Sequence, residues 1–504
     1  MTIKEGYGIC TFPWATDVND ATKPYLDIGN IAQFGLERVY ADLAQSNTKP
    51  TYCLIDRKDG EPDGITPVAF DPPLHAGGWR LDQRYQDAHD LGVKTILCPQ
   101  GAFANQNLPS GTSHRKHPPI DADADPNDPY SYWPLAQLFG QFVLRYGPTK
   151  NDALANVAQD RGSDYLNTEA KTGLNTVWAF QGGNEDNFPW HGGPHVLTGY
   201  QSGVKWAACV FVARQMSPDA RLIAPSFLSA TAKYLEELIS GFNDAIIDLC
   251  NDAAMVVAPM HWDWHPSFHR YHREGGQGQT QGSDKGATPE SVMADVLFND
   301  LADVGDMAGL LPPICTETGY NDDPSEAAVK QRAVQQPGYT LQESAFILNL
   351  RNLLIAQACG VEAVTFYTCR DGYEGQPYTF TGHMYDKTHH TDTNVTKWGL
   401  KPGAQKIVDW LNEWGDATVE VGSLEVKSGV WSVRTDKGTI YWTDGQQVEG
   451  TPIGPMPYFD EGTIEPPIEP PVEPPTEPET PEPMPPTAFK IAENEFGTFW
   501  FEPK

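Results

Sequence analysis

The chain has 504 residues, 39% of them hydrophobic, which allows one large domain and a smaller appendage. Its formal net charge is −32, and residues 461–486 alone hold seven Glu and no Lys or Arg. That balance excludes a nucleic-acid partner, which needs a basic stripe for phosphates, and disfavours polyanionic substrates. No apolar run is long enough to span a membrane. The opening MTIKEGYGICTFPWA lacks the charged head and apolar core of a signal peptide. Export is therefore expected only if a leader has been trimmed. Localisation is otherwise open. With 14 Trp and 20 Tyr, the chain fits either a core of bulky fillers or a protein that stacks flat faces such as sugar rings. The eight cysteines form no CxxC pair, and several fall inside apolar runs, so reduced core thiols are expected.

Apolar runs alternate with helical patterns along the chain. The run 6-GYGICTF-12 reads as a strand, followed by a helix pattern near 22–34. Strands 37-ERVYADL-43 and 93-VKTILCPQG-101 flank a helix pattern at 82–91. A loop-rich insertion fills 102–131, and a helix pattern covers 133–147. Then come 175-NTVWAFQGG-183, a helix at 197–216, 221-RLIAPSF-227, a helix at 231–250 and 255-MVVAPMHW-262. A helix near 289–308 precedes 313-PICTETGY-320, a helix at 340–359 precedes 362-EAVTFYT-368, and a last helix spans 402–414. Strands alternating with helices imply parallel pairing with crossover helices. Eight such units predict an α/β fold, a (β/α)₈ (TIM) barrel over residues 1–415. A doubly wound sheet is the runner-up, but no Gly-rich phosphate turn follows the first strand, and no cofactor is expected.

Residues 416–450 alternate polar and apolar, with turns at Lys427-Ser428-Gly429 and Asp436-Lys437-Gly438. They read as a small antiparallel β meander. Residues 451–487 are a Pro/Glu-rich linker that repeats a Glu-Pro-Pro unit and favours extended polyproline II. The short aromatic tail 488–504 reads as a docking segment for a larger assembly or as a truncated module.

A barrel of this kind places its active site at the C-terminal ends of the strands, so a polar residue matters when it ends a strand. Glu185 ends the fourth strand and Glu317 the seventh. Period-two alternation puts Ala179, Gln181, Gly183 and Glu185 on one small-residue face, which suits the barrel interior. Two carboxylates facing each other across a barrel mouth are what glycosidic cleavage needs: one protonates the leaving oxygen, the other attacks the anomeric carbon or activates water. Each has a bland alternative, a turn or helix cap for Glu185 and a salt bridge for Glu317.

The segment 261-HWDWHPSFHRYHR-273 has three readings. His261, Trp262 and Trp264 are available on a substrate-facing loop, the histidines are buried and structural, or they line a helical metal-binding face. Pro266 argues against the continuous helix that the last needs, so no metal is assigned. Trp190 and His191 are candidate subsite walls, and Tyr367 and Arg370, ending strand eight, candidate floor residues. Neither a Gly-x-Ser-x-Gly elbow nor a His-Glu-x-x-His helix appears.

Residues 5–415 resemble the clan of retaining glycoside hydrolases built on (β/α)₈ barrels, clan A. The segments GGNEDNFPWHG, GATPE, ETGYNDDPS and YTCRDG look like a bacterial group near glycoside hydrolase family 39 and the agarase-type families. The resemblance implies that Asn184 binds the sugar 2-hydroxyl, Glu185 is the acid/base and Glu317 the nucleophile. It further implies that Arg38 lies beside the nucleophile, and that His261 ends strand six in contact with it. Many clan members follow Asn-Glu with Pro, whereas Asp186 stands here. The expected partner is a carbohydrate substrate. The rival reading is a non-catalytic carbohydrate-binding or structural barrel in a larger assembly. Carboxyl groups more than about 10 Å apart, or one aimed into the helix layer, would favour that rival.

Overall fold

The computed structural model describes residues 1–11, 28–42, 81–102, 106–110, 117–151, 171–187, 196–228, 232–253, 262–271, 287–290, 310–322, 333–371, 380–385, 399–462, 489–494 and 497–501. Nine strand segments form one parallel sheet. They are β1 (Tyr7–Thr11), β2 (Leu36–Asp42), β3 (Lys94–Gln100), β4 (Ala179–Gln181), β5 (Leu222–Ile223), β6 (Phe227–Leu228), β7 (Ser267–His269), β8 (Ile314–Thr318) and β9 (Ala363–Phe366). Their order is β5-β4-β3-β2-β1-β9-β8-β7-β6. Segments β5 and β6 belong to one stretch, 222–228, and Ile223 also bridges His265 just ahead of β7. The sheet thus returns on itself as an eight-stranded barrel whose fifth strand is β5 plus β6.

Both faces of such a sheet must be covered. Inside, Leu36, Ile96, Ala179, Ile223, Ile314 and Ala363 form an apolar floor of their own. Outside, the larger core packs under the helices. These include α1 (Ile3–Gly6), α2 (Ile28–Ile31), α3 (Leu81–Asp90), α4 (Trp133–Tyr146), α5 (Gly199–Met216), α6 (Ala232–Asp252), α7 (Leu341–Ala358) and α8 (Pro402–Trp414). Thr198 and Gln201 open α5 with a capping box, as Thr340 and Glu343 open α7. Helices α5 and α6 approach closely at Gly203 and Gly241. A Cβ at either would lie 2.0 Å from a carbonyl oxygen of the other helix.

The sixth barrel strand departs from the expectation. The sequence places it at 255–262, but it lies at Ser267–His269, and residues 254–261 are outside the described ones. The cause is chemical. This strand turns Ser267 and His269 inward and is preceded by Pro266, so it lacks the apolar signature by which the others are read. It also makes 265–269 extended rather than helical, which removes the helical metal-binding face. Of the expected helix near 22–34 the structure describes Ile28–Ile31, and 289–308 lies outside it except for two residues.

After the barrel, β10 (Glu425–Lys427), β11 (Val430–Arg434), β12 (Thr439–Thr443) and β13 (Tyr458–Asp460) form an antiparallel sheet in that order. Ser428 and Gly429 both take positive φ, 51° and 78°, as a two-residue hairpin turn requires. Strand β13 lies past 450, inside the stretch read as linker. The sheet is tied to the barrel by Trp442, whose Nε1 donates to Glu290 Oε1 at 2.8 Å. Residues 1–462 form one compact unit and 463–504 a second. In the second, β14 (Phe489–Asn494) and β15 (Gly497–Phe501) pair as an antiparallel hairpin. The seven described cysteines are all free thiols. Among the described residues no helix is long and apolar enough to cross a membrane.

Candidate active site

Above the apolar floor the barrel interior turns polar. On β2, Leu36 belongs to the floor, and Arg38 and Tyr40 follow on the same face. Arg38 is fully buried and acts as a hub. Its Nε donates to Gln181 Oε1 (2.7 Å), Nη1 to Tyr40 Oη (2.6 Å) and Glu317 Oε2 (3.3 Å), and Nη2 to Asn184 Oδ1 (2.8 Å) and Cys98 Sγ (3.2 Å). Gln181 Nε2 in turn donates to Ser267 Oγ (3.1 Å) and Thr316 Oγ1 (3.2 Å), joining four barrel strands through one amide.

Glu317 reaches the interior because β8 bulges. Residue Cys315 pairs with Val364, but Thr318 pairs with Phe366, so the register slips between them. Strict alternation would turn Thr316 inward and Glu317 outward. The bulge turns both inward and sends Thr318 towards Asn352 of α7. Glu317 Oε2 then accepts from Arg38 and the Tyr40 hydroxyl, and Oε1 from the Tyr271 hydroxyl. Burial, first of all, holds both phenols well above the ordinary tyrosine range, so they remain donors.

Glu185 is set by a turn with no spare room. A Cβ on Gly182 would lie 2.3 Å from the Trp206 ring. Gly183 has φ 149°, and a Cβ there would meet Lys205 Nζ at 2.6 Å. Glu185 itself takes φ 50°, a left-handed conformation that costs an L-residue roughly 1–2 kcal/mol. Its amide donates to Ser226 Oγ at 3.3 Å, and its carboxyl is buried. Oε1 lies 2.6 Å from His269 Nδ1. Burial, opposed by Glu317 and aided by Arg38, lowers the His269 pKa to about 3, which keeps the ring neutral.

Ligand-type atoms of Glu185, His269 and Glu317 all lie within 4.8 Å of one another. Three such donors could face a cation, but His269 Nδ1 is engaged by Glu185 and the Arg38 guanidinium already adds positive charge beside Glu317. The arrangement is a close carboxylate pair sharing one neutral imidazole.

The structure brings together Arg38, Asn184, Glu185 and Glu317. Tyr367 joins them at the mouth, packed on Cys10, Tyr40 and Cys98. Trp262 does not join them. It lies ahead of the sixth strand, at the end opposite the carboxylates, and stacks on Phe211 of α5 with ring centroids 6.4 Å apart. Trp190 and His261 lie outside the described residues. His261 does not end the sixth strand, since β7 begins six residues later, and His269 stands at that strand's end. Sequence reasoning missed Tyr40, His269 and Tyr271 as site residues. The signal was present in the period-two spacing of Arg38 with Tyr40 and of Ser267, His269 and Tyr271.

No protein-family model and no curated protein matches the chain. Solved structures do. A family 39 glycoside hydrolase from Bacteroides cellulosilyticus WH2 is similar at 13% identity and TM-score 0.46, over 88% of this chain and 72% of its own. A glucosidase from Croceicoccus marinus is similar at 13% identity and TM-score 0.45, over 87% and 75%. A family 51 alpha-L-arabinofuranosidase from Bifidobacterium longum is similar at 10% identity and TM-score 0.47, over 89% and 84%.

Proposed function

We propose that the protein is a retaining glycoside hydrolase acting by double displacement on an oligo- or polysaccharide, with Glu185 as acid/base and Glu317 as nucleophile. The observation that carries this reading is the carboxylate pair. Oxygens of Glu185 and Glu317 lie within 4.8 Å of each other, inside the barrel, with neither side chain aimed at the helix layer. Retaining enzymes space their carboxyls about 5–5.5 Å apart, inverting ones about 6.5–9.5 Å, to admit a water. The same spacing disfavours the non-catalytic barrel.

The surroundings support this division of roles. Glu317 collects a guanidinium and two phenolic donors on its two oxygens, which hold it in place and suit a nucleophile. Glu185 faces a neutral imidazole. In the first step a Glu317 oxygen attacks the anomeric carbon, the bond to the leaving oxygen breaks, and Glu185 gives that oxygen its proton. In the second, Glu185 takes a proton from water, the water oxygen attacks the same carbon, and Glu317 is released as carboxylate. His269 suits both states of Glu185: Nδ1–H donates to the carboxylate, and an unprotonated Nδ1 accepts from the acid. In this reading Asn184, fixed by Arg38, is the sugar 2-hydroxyl partner, and Tyr367, packed on Tyr40, is a wall of the sugar site.

The test is trapping. A 2-deoxy-2-fluoro glycosyl fluoride slows both steps and leaves the covalent glycosyl-enzyme. Peptide mapping should find the sugar on Glu317. An adduct on another residue, or products of inverted configuration, would overturn the assignment.

A further inference from the structure

We propose that Asp186 is a positioning residue for the acid/base: a buried ion pair between Asp186 and Lys205 pins the Glu185 turn to helix α5. This rests on the reading of Glu185 given above.

Asp186 is held at three points. Its Oδ2 lies 2.6 Å from Lys205 Nζ and accepts from Ser202 Oγ at 2.7 Å. Its carbonyl accepts from the Leu197 amide at 2.9 Å. The Lys205 side chain is 1% exposed and that of Asp186 7%. A charge buried this deeply is costly unless paired, so removing either partner leaves an expensive orphan.

The pair fits the turn it holds. Lys205 runs beneath Gly183, whose missing Cβ leaves the space that Nζ occupies, and that Cβ would also stand 3.2 Å from Asp186 Oδ1. Ser202 and Lys205 lie one helical turn apart on α5, so one face of that helix presents both groups to one carboxylate. The helix is buried along nearly its whole length and is a firmer support than a loop. The residue restrained is the one directly after Glu185, whose left-handed backbone needs surroundings that over-determine it.

A misplaced acid shows itself through the leaving group. Departure of 2,4-dinitrophenolate needs no proton, whereas phenolate departure is helped by one. The probes are the 2,4-dinitrophenyl and phenyl glycosides of whichever sugar the wild-type protein cleaves, from glucosides, galactosides, mannosides and xylosides. Asp186→Asn should lower kcat/KM on the phenyl glycoside by about 30-fold or more and change it on the dinitrophenyl glycoside by no more than about threefold. Lys205→Met should do the same. Because each single variant orphans a charge, the double variant Asp186→Asn/Lys205→Met, which has none, is the decisive one. Equal losses on both substrates, or no loss, in the folded double variant would overturn the proposal. Glu185→Ala is the control. If it shows the leaving-group pattern and the Asp186 variants do not, only this inference falls. If it lacks the pattern, or the wild type cleaves none of the glycosides, the acid/base reading falls and takes this one with it.

Discussion

His269 Nδ1 and Glu185 Oε1 are 2.6 Å apart, and both side chains are fully buried. The ring sits against a carboxyl group yet stays neutral, because burial is the largest influence on it and lowers its pKa to about 3. The first prediction follows directly. In a titration of labelled histidine, the His269 ring should show no protonation between pH 8 and about 4. A midpoint near 6.5 would show that burial does not hold the ring neutral. Replacing His269 with Ala frees Glu185 to rotate and should lower kcat/KM by about 10²-fold with the fold retained.

Arg38 gives the second prediction. Its five contacts use the planar guanidinium as a fork directed at Gln181, Tyr40, Glu317, Asn184 and Cys98. Lys keeps the charge but has a single ammonium, which cannot serve partners on β3, β4 and β8 together. Arg38→Lys should therefore cut kcat/KM by at least about 10²-fold and lower stability by roughly 2 kcal/mol or more. Turnover and urea unfolding measure the two effects. An active, equally stable lysine variant would show that the charge alone suffices.

How much of this was legible depended on whether each residue obeyed its local pattern. Seven barrel strands carry apolar runs with turn signals, and their positions follow from period and composition. The sixth does not, because Ser267 and His269 face a polar interior, and a more apolar neighbouring run, 255–262, drew the assignment away. The shift put His261 at a strand end where His269 stands, and passed over Tyr271. Glu317 was placed rightly at a strand end, but period-two reading alone aims it outward. Only the bulge at Thr316 and Glu317 brings it in, and a bulge is a property of strand pairing, absent from local sequence. Trp262 illustrates the opposite error. An aromatic near a site reads as a sugar platform, whereas here Phe211 claims its face.

A third prediction concerns acid stability. His383 lies among Phe34, Phe346, Phe366 and Tyr7. Its Nδ1 donates to the Thr368 carbonyl at 3.0 Å and its Nε2 accepts from the Tyr7 hydroxyl at 3.1 Å, which fixes one neutral tautomer. Burial lowers its pKa to about 3, against about 6.5 in an unfolded chain. Between those values the unfolded state binds the extra proton, so stability rises with pH. The contribution is present in full above about pH 6.5 and is lost as pH falls towards about 3. The slope from one such group is at most about 1.4 kcal/mol per pH unit. His383→Gln should flatten the fall in unfolding free energy between pH 6.5 and 4 by roughly that slope, while lowering stability at pH 7. An unchanged slope would mean that His383 is protonated in the folded state.

The last prediction concerns the join between the barrel and its antiparallel sheet. Trp442 is fully buried on β12 and donates to Glu290 Oε1, which also accepts from Arg351 Nε of α7 at 2.5 Å. Arg351 in turn donates to Gln336 Oε1 at 2.8 Å, so the indole is one member of a buried charged network. Trp442→Phe removes the donor but keeps most of the apolar surface, and should cost about 1–3 kcal/mol for a hydrogen bond to a charged group. Trp442→Ala adds a cavity and should cost about 3–5 kcal/mol. Two-state unfolding in urea distinguishes integral packing from attachment at the surface. If the sheet is part of the same cooperative unit, both variants shift the single transition of residues 1–462 to lower urea. If it is only attached, the alanine variant releases an early transition of its own, and the main transition stays where it was.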